Sequence, residues 1–226
     1  MQCWICGDPA ETGEHLVKVS DLRDIFGHIT THKPLFRRLG DQRHELVQGV
    51  RSKKLIFESP LCAACNNQRT QQHDKSWEAL ATFLRKRNPP LRPGEKVRPA
   101  KAFSTGLHPG MLGVHLYFAK HFGRLVGDGG ASVDRASLAE AILGNVAHPH
   151  LYLSFMVVTS RKLSEQALVT PITVFRVAGV EGATYYYFAG RIAVQVLLAP
   201  LIARKSDKLH LWHPSDSTKT IALYGK

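Results

Sequence analysis

All four cysteines of the chain stand in two Cys-x-x-Cys pairs, Cys3/Cys6 and Cys62/Cys65, and each pair is followed by polar residues able to do chemistry. Glu14-His15 comes after the first pair, and Asn66-Asn67 comes directly after the second. Two intervening residues let both thiolates of a tight knuckle reach one tetrahedral metal, and two such pairs complete a four-cysteine zinc site. No cysteine is left over, so the set reads as one closed, structural Zn²⁺ site. Two competing readings have less behind them. Paired disulfides belong to small secreted domains. The start MQCWICGDPA has no basic segment leading into an apolar one, so no secretory leader is expected. A thioredoxin-like redox motif needs a single Cys-x-x-Cys in a βαβ setting, which these flanks do not provide.

The elements that must position these residues lie in a chain of 226 residues, a length open to one domain or two. At 44% hydrophobic it can bury a core and is not a disordered chain. Its most apolar stretch, residues 192–203, follows Arg191, contains Gln195 and Pro200, and is too short to cross a bilayer. No membrane partner is therefore expected, and a cytoplasmic location is the default. The formal net charge of +12 favours polyanions, above all nucleic-acid phosphates.

Residues 87–99, RNPPLRPGEKVRP, carry four prolines and a glycine among charges and read as a linker or extended arm. The break divides the chain into residues 1–86, with every cysteine, a Pro-rich linker over 87–104, and residues 105–226. In the first part, Ser20 before DLRDIFG predicts a short helix capped by Ser20 and stopped at Gly27. Val47, Val50, Leu55 and Phe57 suggest strands. Trp77, Leu80, Ala81 and Leu84 form a helical stripe, so a helix is expected from near Ala64 or Asp74 to about Lys86. In the second part, residues 111–126 and 134–143 read as helices, the latter capped by Ser132 or Asp134. Residues 151–160, 172–177, 184–188, 192–198 and 220–224 read as strands, with Ala189-Gly190 as a hairpin turn. The fold class is α+β with a mostly antiparallel sheet.

The order Cys3-x-x-Cys6, Glu14-His15, Cys62-x-x-Cys65-Asn66 resembles the zinc-stapled branch of the HNH endonuclease family, over about residues 1–85. The resemblance implies a ββα-metal, or treble-clef, core for this part. It implies a strand bearing an acidic residue and a histidine, then a helix opened by the second knuckle. It casts His15 as the base that activates water, and Glu14 and Asn66 as oxygen ligands of a catalytic Mg²⁺ or Mn²⁺ ion, with Asp74 as a further candidate. The zinc would be catalytically silent, because four thiolates leave no position for water. The pattern departs from the family in one respect: LIFESP stands where a central Asn is usual.

Each residue also has a plainer reading. His15 fits a core-edge imidazole bonded to backbone, Glu14 a surface carboxylate, Asn66 and Asn67 helix caps, and Asp74 a second cap. His73 is left without a role, and His148 and His150 are read as incidental rather than as a second metal site. Arg37, Arg38, Arg43, Arg51, Lys53, Lys54 and Arg69 are the candidates for phosphate contact, with DNA favoured over RNA. Arg85, Lys86 and Arg87 suit a helix end equally well. Two functions follow: a metal-dependent endonuclease, or a zinc module that binds nucleic acid without cleaving it. In the second, residues 105–226 would bind a ligand or partner, and a homo-oligomer through this part is also open.

Overall fold

Between Cys3 and Gly7 the chain turns back on itself, the Gly7 N–H donating to Cys3 O at 2.8 Å. Gly7 takes φ 82°, a left-handed value that glycine reaches without steric cost. Residues 12–16 then run antiparallel to residues 55–61. The Leu61 N–H donates to Thr12 O (3.0 Å), the Phe57 N–H to Glu14 O (2.9 Å) and the Leu16 N–H to Leu55 O (2.8 Å). The second knuckle ends this pairing and opens a wide helical turn, Ala64–Arg69, in which the Thr70 N–H reaches back five residues to Cys65 O. The regular helix α2, Gln71–Arg85, follows. These features come from a computed structural model that describes residues 1–39, 43–129, 131, 133–200, 210–216 and 219–225; the side chains of residues 38, 39, 43 and 44 also lie outside the description.

The span between the two extended arms carries helix α1, Val19–Phe26, and a separate two-stranded antiparallel sheet of β1, Leu35–Leu39, and β2, Arg43–Val47. The helix ends at Gly27 (φ 70°), as the sequence predicts. It starts two residues earlier than expected, with Lys18 rather than Ser20 at the cap. The Ser20 hydroxyl instead donates to Glu78 on α2 at 3.3 Å.

The remaining elements are β3 (Lys96–Val97), α3 (Leu107–Gly129), α4 (Ala136–Gly144), β4 (Leu151–Val157), the single turn α5 (Arg161–Ser164), β5 (Ala167–Val169), β6 (Thr173–Val177), β7 (Val180–Ala189), β8 (Ile192–Leu198) and β9 (Ile221–Gly225). Of the proposed caps of α4, Asp134 accepts from the Ala136 N–H at 2.8 Å, while Ser132 lies outside the described residues. The seven strands β3 to β9 form one sheet in the order β3-β9-β4-β8-β7-β5, with β6 also on β7. Every pairing in it is antiparallel except β4 with β9. The β7–β8 hairpin turns at Gly190 as expected, with Ala189 opposite Ile192. β7 begins earlier than its composition predicts, because Ala178 and Gly179, both at positive φ, make a two-residue turn that places Val180 opposite Val177.

The Pro-rich segment does not hang free. Leu91, Val97 and Phe103 are buried, and β3 pairs with β9 at the sheet edge, where prolines are tolerated. Residues 1–86 and 105–226 share one cluster of buried side chains, in which Ile5, Leu61, Trp77 and Leu80 meet Phe118, Tyr187 and Leu223. The helix α3 is its axis, buried along most of its length against α2, α4 and the sheet. Trp77 stacks on Tyr117 at 5.8 Å and meets Phe118 and Tyr187 edge-on. Two glycines permit the close approaches. A Cβ on Gly113 would lie 2.3 Å from Ser76 Oγ on α2, and one on Gly123 2.4 Å from the Trp4 ring of the first knuckle. Among the described residues no helix is long and apolar enough to cross a membrane.

Candidate functional site

The Sγ atoms of Cys3, Cys6, Cys62 and Cys65 all lie within 4.8 Å of one another. Tetrahedral zinc with bonds of about 2.3 Å needs sulfurs about 3.8 Å apart, so the four could hold one such ion with a small contraction. Burial raises the Cys3 thiol, but backbone amide donors at the knuckles outweigh it and bring it to about 7. Cys65 is pushed up by burial and by the neighbouring thiols, which cannot all ionise so close together without a cation among them. Two donors already address the sulfurs: the Arg69 guanidinium reaches Cys65 Sγ at 2.9 Å, and the Cys65 N–H reaches Cys62 Sγ at 3.3 Å. Arg69, exposed, is thereby tied to the knuckle through one of its N–H groups.

Glu14 and His15 are successive residues of an extended arm and so project to opposite sides. Glu14 turns inward, to Lys120 on α3. The Lys120 ammonium donates to Glu14 Oε1 (2.6 Å), Asp74 Oδ1 (2.7 Å) and Thr70 Oγ1 (3.1 Å), which uses all three of its N–H bonds. The second oxygen of Asp74 lies 3.3 Å from Lys18, which also meets Glu78 at 3.5 Å. The second oxygen of Glu14 lies 3.8 Å from Arg124, whose buried guanidinium sits over the Phe57 ring and makes no hydrogen bond within the described residues. Burial alone would raise Glu14, but the Lys120 and Arg124 charges hold it below the usual carboxylate range. Burial raises Asp74, and the Glu14 charge opposes its ionisation further.

His15, half-buried, faces the other way and bridges to Ile56. Its Nε2 lies 2.6 Å from the carbonyl oxygen of Val50. Asn66, first residue after the last cysteine, uses its side-chain amide to donate to Thr12 Oγ1 (3.1 Å) and Gly13 O (3.3 Å). It thus stitches the helical turn to the arm one residue before Glu14 instead of capping the helix. The arrangement therefore gathers Glu14 and Asp74 at Lys120, joins Asn66 to residues 12–13, and sends His15 to Val50. Asp74 caps nothing. His73, buried, contacts Asn145 on the far side of α2.

Lys120 is the residue that sequence reasoning missed, since it lies 106 positions from Glu14. One signal was present. A lysine inside the apolar run MLGVHLYFAKHFGRLV must be buried once that run packs, and a buried ammonium needs carboxylates.

Among the basic candidates, Arg37 donates to the Lys54 carbonyl and the exposed Lys54 to the Leu46 carbonyl of β2. Arg51 and Lys53 are exposed. Arg38 and Arg43 fall in β1 and β2, with side chains outside the described residues. Arg85 points inward, paired with Asp21 and Asp24. His148 is buried in a polar knot with His115 and His213. The cysteines are the only metal-type cluster of three or more His, Cys, Asp or Glu among the described residues. Comparison of the chain with protein-family models, with curated proteins and with solved structures finds no match.

Proposed function

We propose that the protein is an HNH-type endonuclease, a phosphodiester hydrolase acting on nucleic acid with DNA favoured, in which His15 is the general base and a four-cysteine zinc ties its surroundings together. The observation that carries this reading is the contact of His15 Nε2 with Val50 O. A carbonyl oxygen only accepts, so in the neutral ring the proton sits on Nε2 and the Nδ1 lone pair is left to take a proton from water. A base whose ring is fixed by a second partner is the arrangement that hydrolytic chemistry needs. The Val50 carbonyl would thereby orient His15, a task the sequence left open where the family's central Asn is missing.

In the family resembled, a divalent ion neutralises charge on the scissile phosphate. The expected holders here, Glu14 and Asn66, fit such an ion poorly as they stand. Lys120 bonds one oxygen of Glu14, the buried Arg124 guanidinium faces the other at 3.8 Å, and the Asn66 NH₂ donates to Gly13 O. This reading therefore gives Glu14 and Asp74 a positioning role and derives no step through a catalytic ion. Supercoiled plasmid incubated with the protein and Mg²⁺ or Mn²⁺ should be nicked. His15→Ala should slow nicking by roughly 10²–10⁴-fold, the span a general base supplies, while zinc content and circular dichroism stay unchanged. Undiminished cleavage by His15→Ala removes the residue from the mechanism.

The Glu14–Lys120 pair favours a second reading, a zinc-stapled module that binds nucleic acid without cleaving it. Its expected outcome is salt-dependent DNA binding, equal in wild type and His15→Ala, with no nicking in either ion.

A further inference from the structure

We infer that the groove between the outer face of α2 and the turn Pro99–Ala102 is a track for a nucleic-acid phosphate backbone; this rests on the nucleic-acid reading above and adds the surface that would hold the strand. Lys75, Lys86 and Lys101 line it together with Arg87, and among the described residues Glu78 is the only acid on its walls. Lys75 and the adjacent pair Lys86-Arg87 come from α2 and its end, and Lys101 from the turn at residues 99–102. What looks like a single basic helix end, Arg85 to Arg87, is split by the fold. Arg85 turns inward to Asp21 and Asp24, while Lys86 and Arg87 face the groove.

The acids nearby are already engaged. Glu78 pairs with Lys18, and Glu95 pairs with Arg87 at 3.5 Å. Lys75, Lys86 and Lys101 are exposed and have no ion-pair partner among the described residues. Like charges held together with no counter-charge repel, and an anion that meets several at once relieves this. From Lys75 to Lys86 the helix advances about 16 Å at its 1.5 Å rise. That matches the rise of roughly five base pairs along a duplex axis, about 3.4 Å each. A row of that length suits a repeating polyanion rather than a single phosphate or a compact acidic peptide. Glu78, on the groove wall, is joined through Lys18 to Asp74 and so to the Lys120 cluster that holds Glu14.

The test is fluorescence anisotropy of a labelled duplex and a labelled single strand, titrated with full-length protein over a series of salt concentrations. Lys75→Gln/Lys86→Gln/Lys101→Gln should flatten the slope of log K against log salt by about 2–3 on duplex, near 0.9 for each lost phosphate contact. Arg161→Gln/Lys162→Gln, exposed on α5 and outside the groove lining, is the control and should retain most of the wild-type slope. Wild type that binds while the groove variant keeps the full slope overturns the track. Binding of an acidic polypeptide competitor as tightly as DNA, lost in the groove variant, overturns it in favour of a protein partner. Wild type that binds neither probe at any salt defeats the nucleic-acid reading itself.

Discussion

A single buried ammonium decides what Glu14 can do. Lys120 is almost wholly buried and holds two carboxylates and a hydroxyl at once. Its removal would leave Glu14 and Asp74 facing each other with only Lys18 and Arg124 nearby, and breaking a buried charge pair costs roughly 3–5 kcal/mol. Lys120→Met should lower the urea midpoint accordingly, and adding Glu14→Gln and Asp74→Asn should recover much of the loss. The two acids respond to pH with opposite sign. Glu14, held below its ordinary value, stabilises the fold fully above about pH 4.3, and that contribution is lost as pH falls through its lowered value. Asp74, held above its ordinary value, contributes below the usual aspartate range and loses that contribution as pH rises through its raised value. Glu14→Gln should therefore unfold more easily at neutral pH and lose part of the acid-side slope in unfolding free energy. A slope identical to wild type would separate Glu14 from the stability of the cluster.

At the scale of elements, the two cysteine knuckles act through the arms between them. The first ends just before residues 12–16 and the second just after residues 55–61, so one ion would clamp both ends of this pairing to the start of the helical turn. Asn66 and Thr12 add a second stitch at the same corner. Zinc bound here should be present at about one ion per chain, as four thiolates close a single tetrahedron. Chelation, or Cys62→Ser, should release it and lower the melting temperature, because binding energy at a structural site is folding energy. Unchanged stability after complete loss of zinc, measured by atomic absorption and thermal scans, would mean that the hairpin and α2 hold without it. His15 and Val50 face each other across the base of the inserted segment, so loosening this corner should also disturb the His15 contact.

Across the whole molecule, the two parts that composition separates are joined through α3. Tyr187 on β7 donates to Asp21 on α1, which also accepts from Trp77 on α2. Gly113 and Gly123 let α2 and Trp4 sit directly on the central helix. With one shared apolar core, urea unfolding followed by far-ultraviolet dichroism and by tryptophan fluorescence should give a single coincident transition. Two separated transitions would show that residues 1–86 and 105–226 fold independently.

Much of the local structure was legible in the sequence because its causes are local. Gly27 ends α1, the stripe from Trp77 to Leu84 makes α2, an apolar and aromatic run makes β4, β-branched residues favour β8, and Cys-x-x-Cys spacing makes two knuckles. The start of β7 and the docking of residues 91–103 were less legible, since they depend on a turn and on an edge partner far along the chain. The candidate site divides in the same way. Sequence alone determined that four thiols could meet, and that Glu14, His15 and Asn66 would be carried on the elements beside them. Only the tertiary structure decided that Glu14 is held by Lys120, that His15 has Val50 as its partner, and that Lys75, Lys86 and Lys101 share one groove. Charge–charge and hydrogen-bond partners are chosen by distance in space, and the burial that makes them strong is created by packing between residues that no sequence spacing relates.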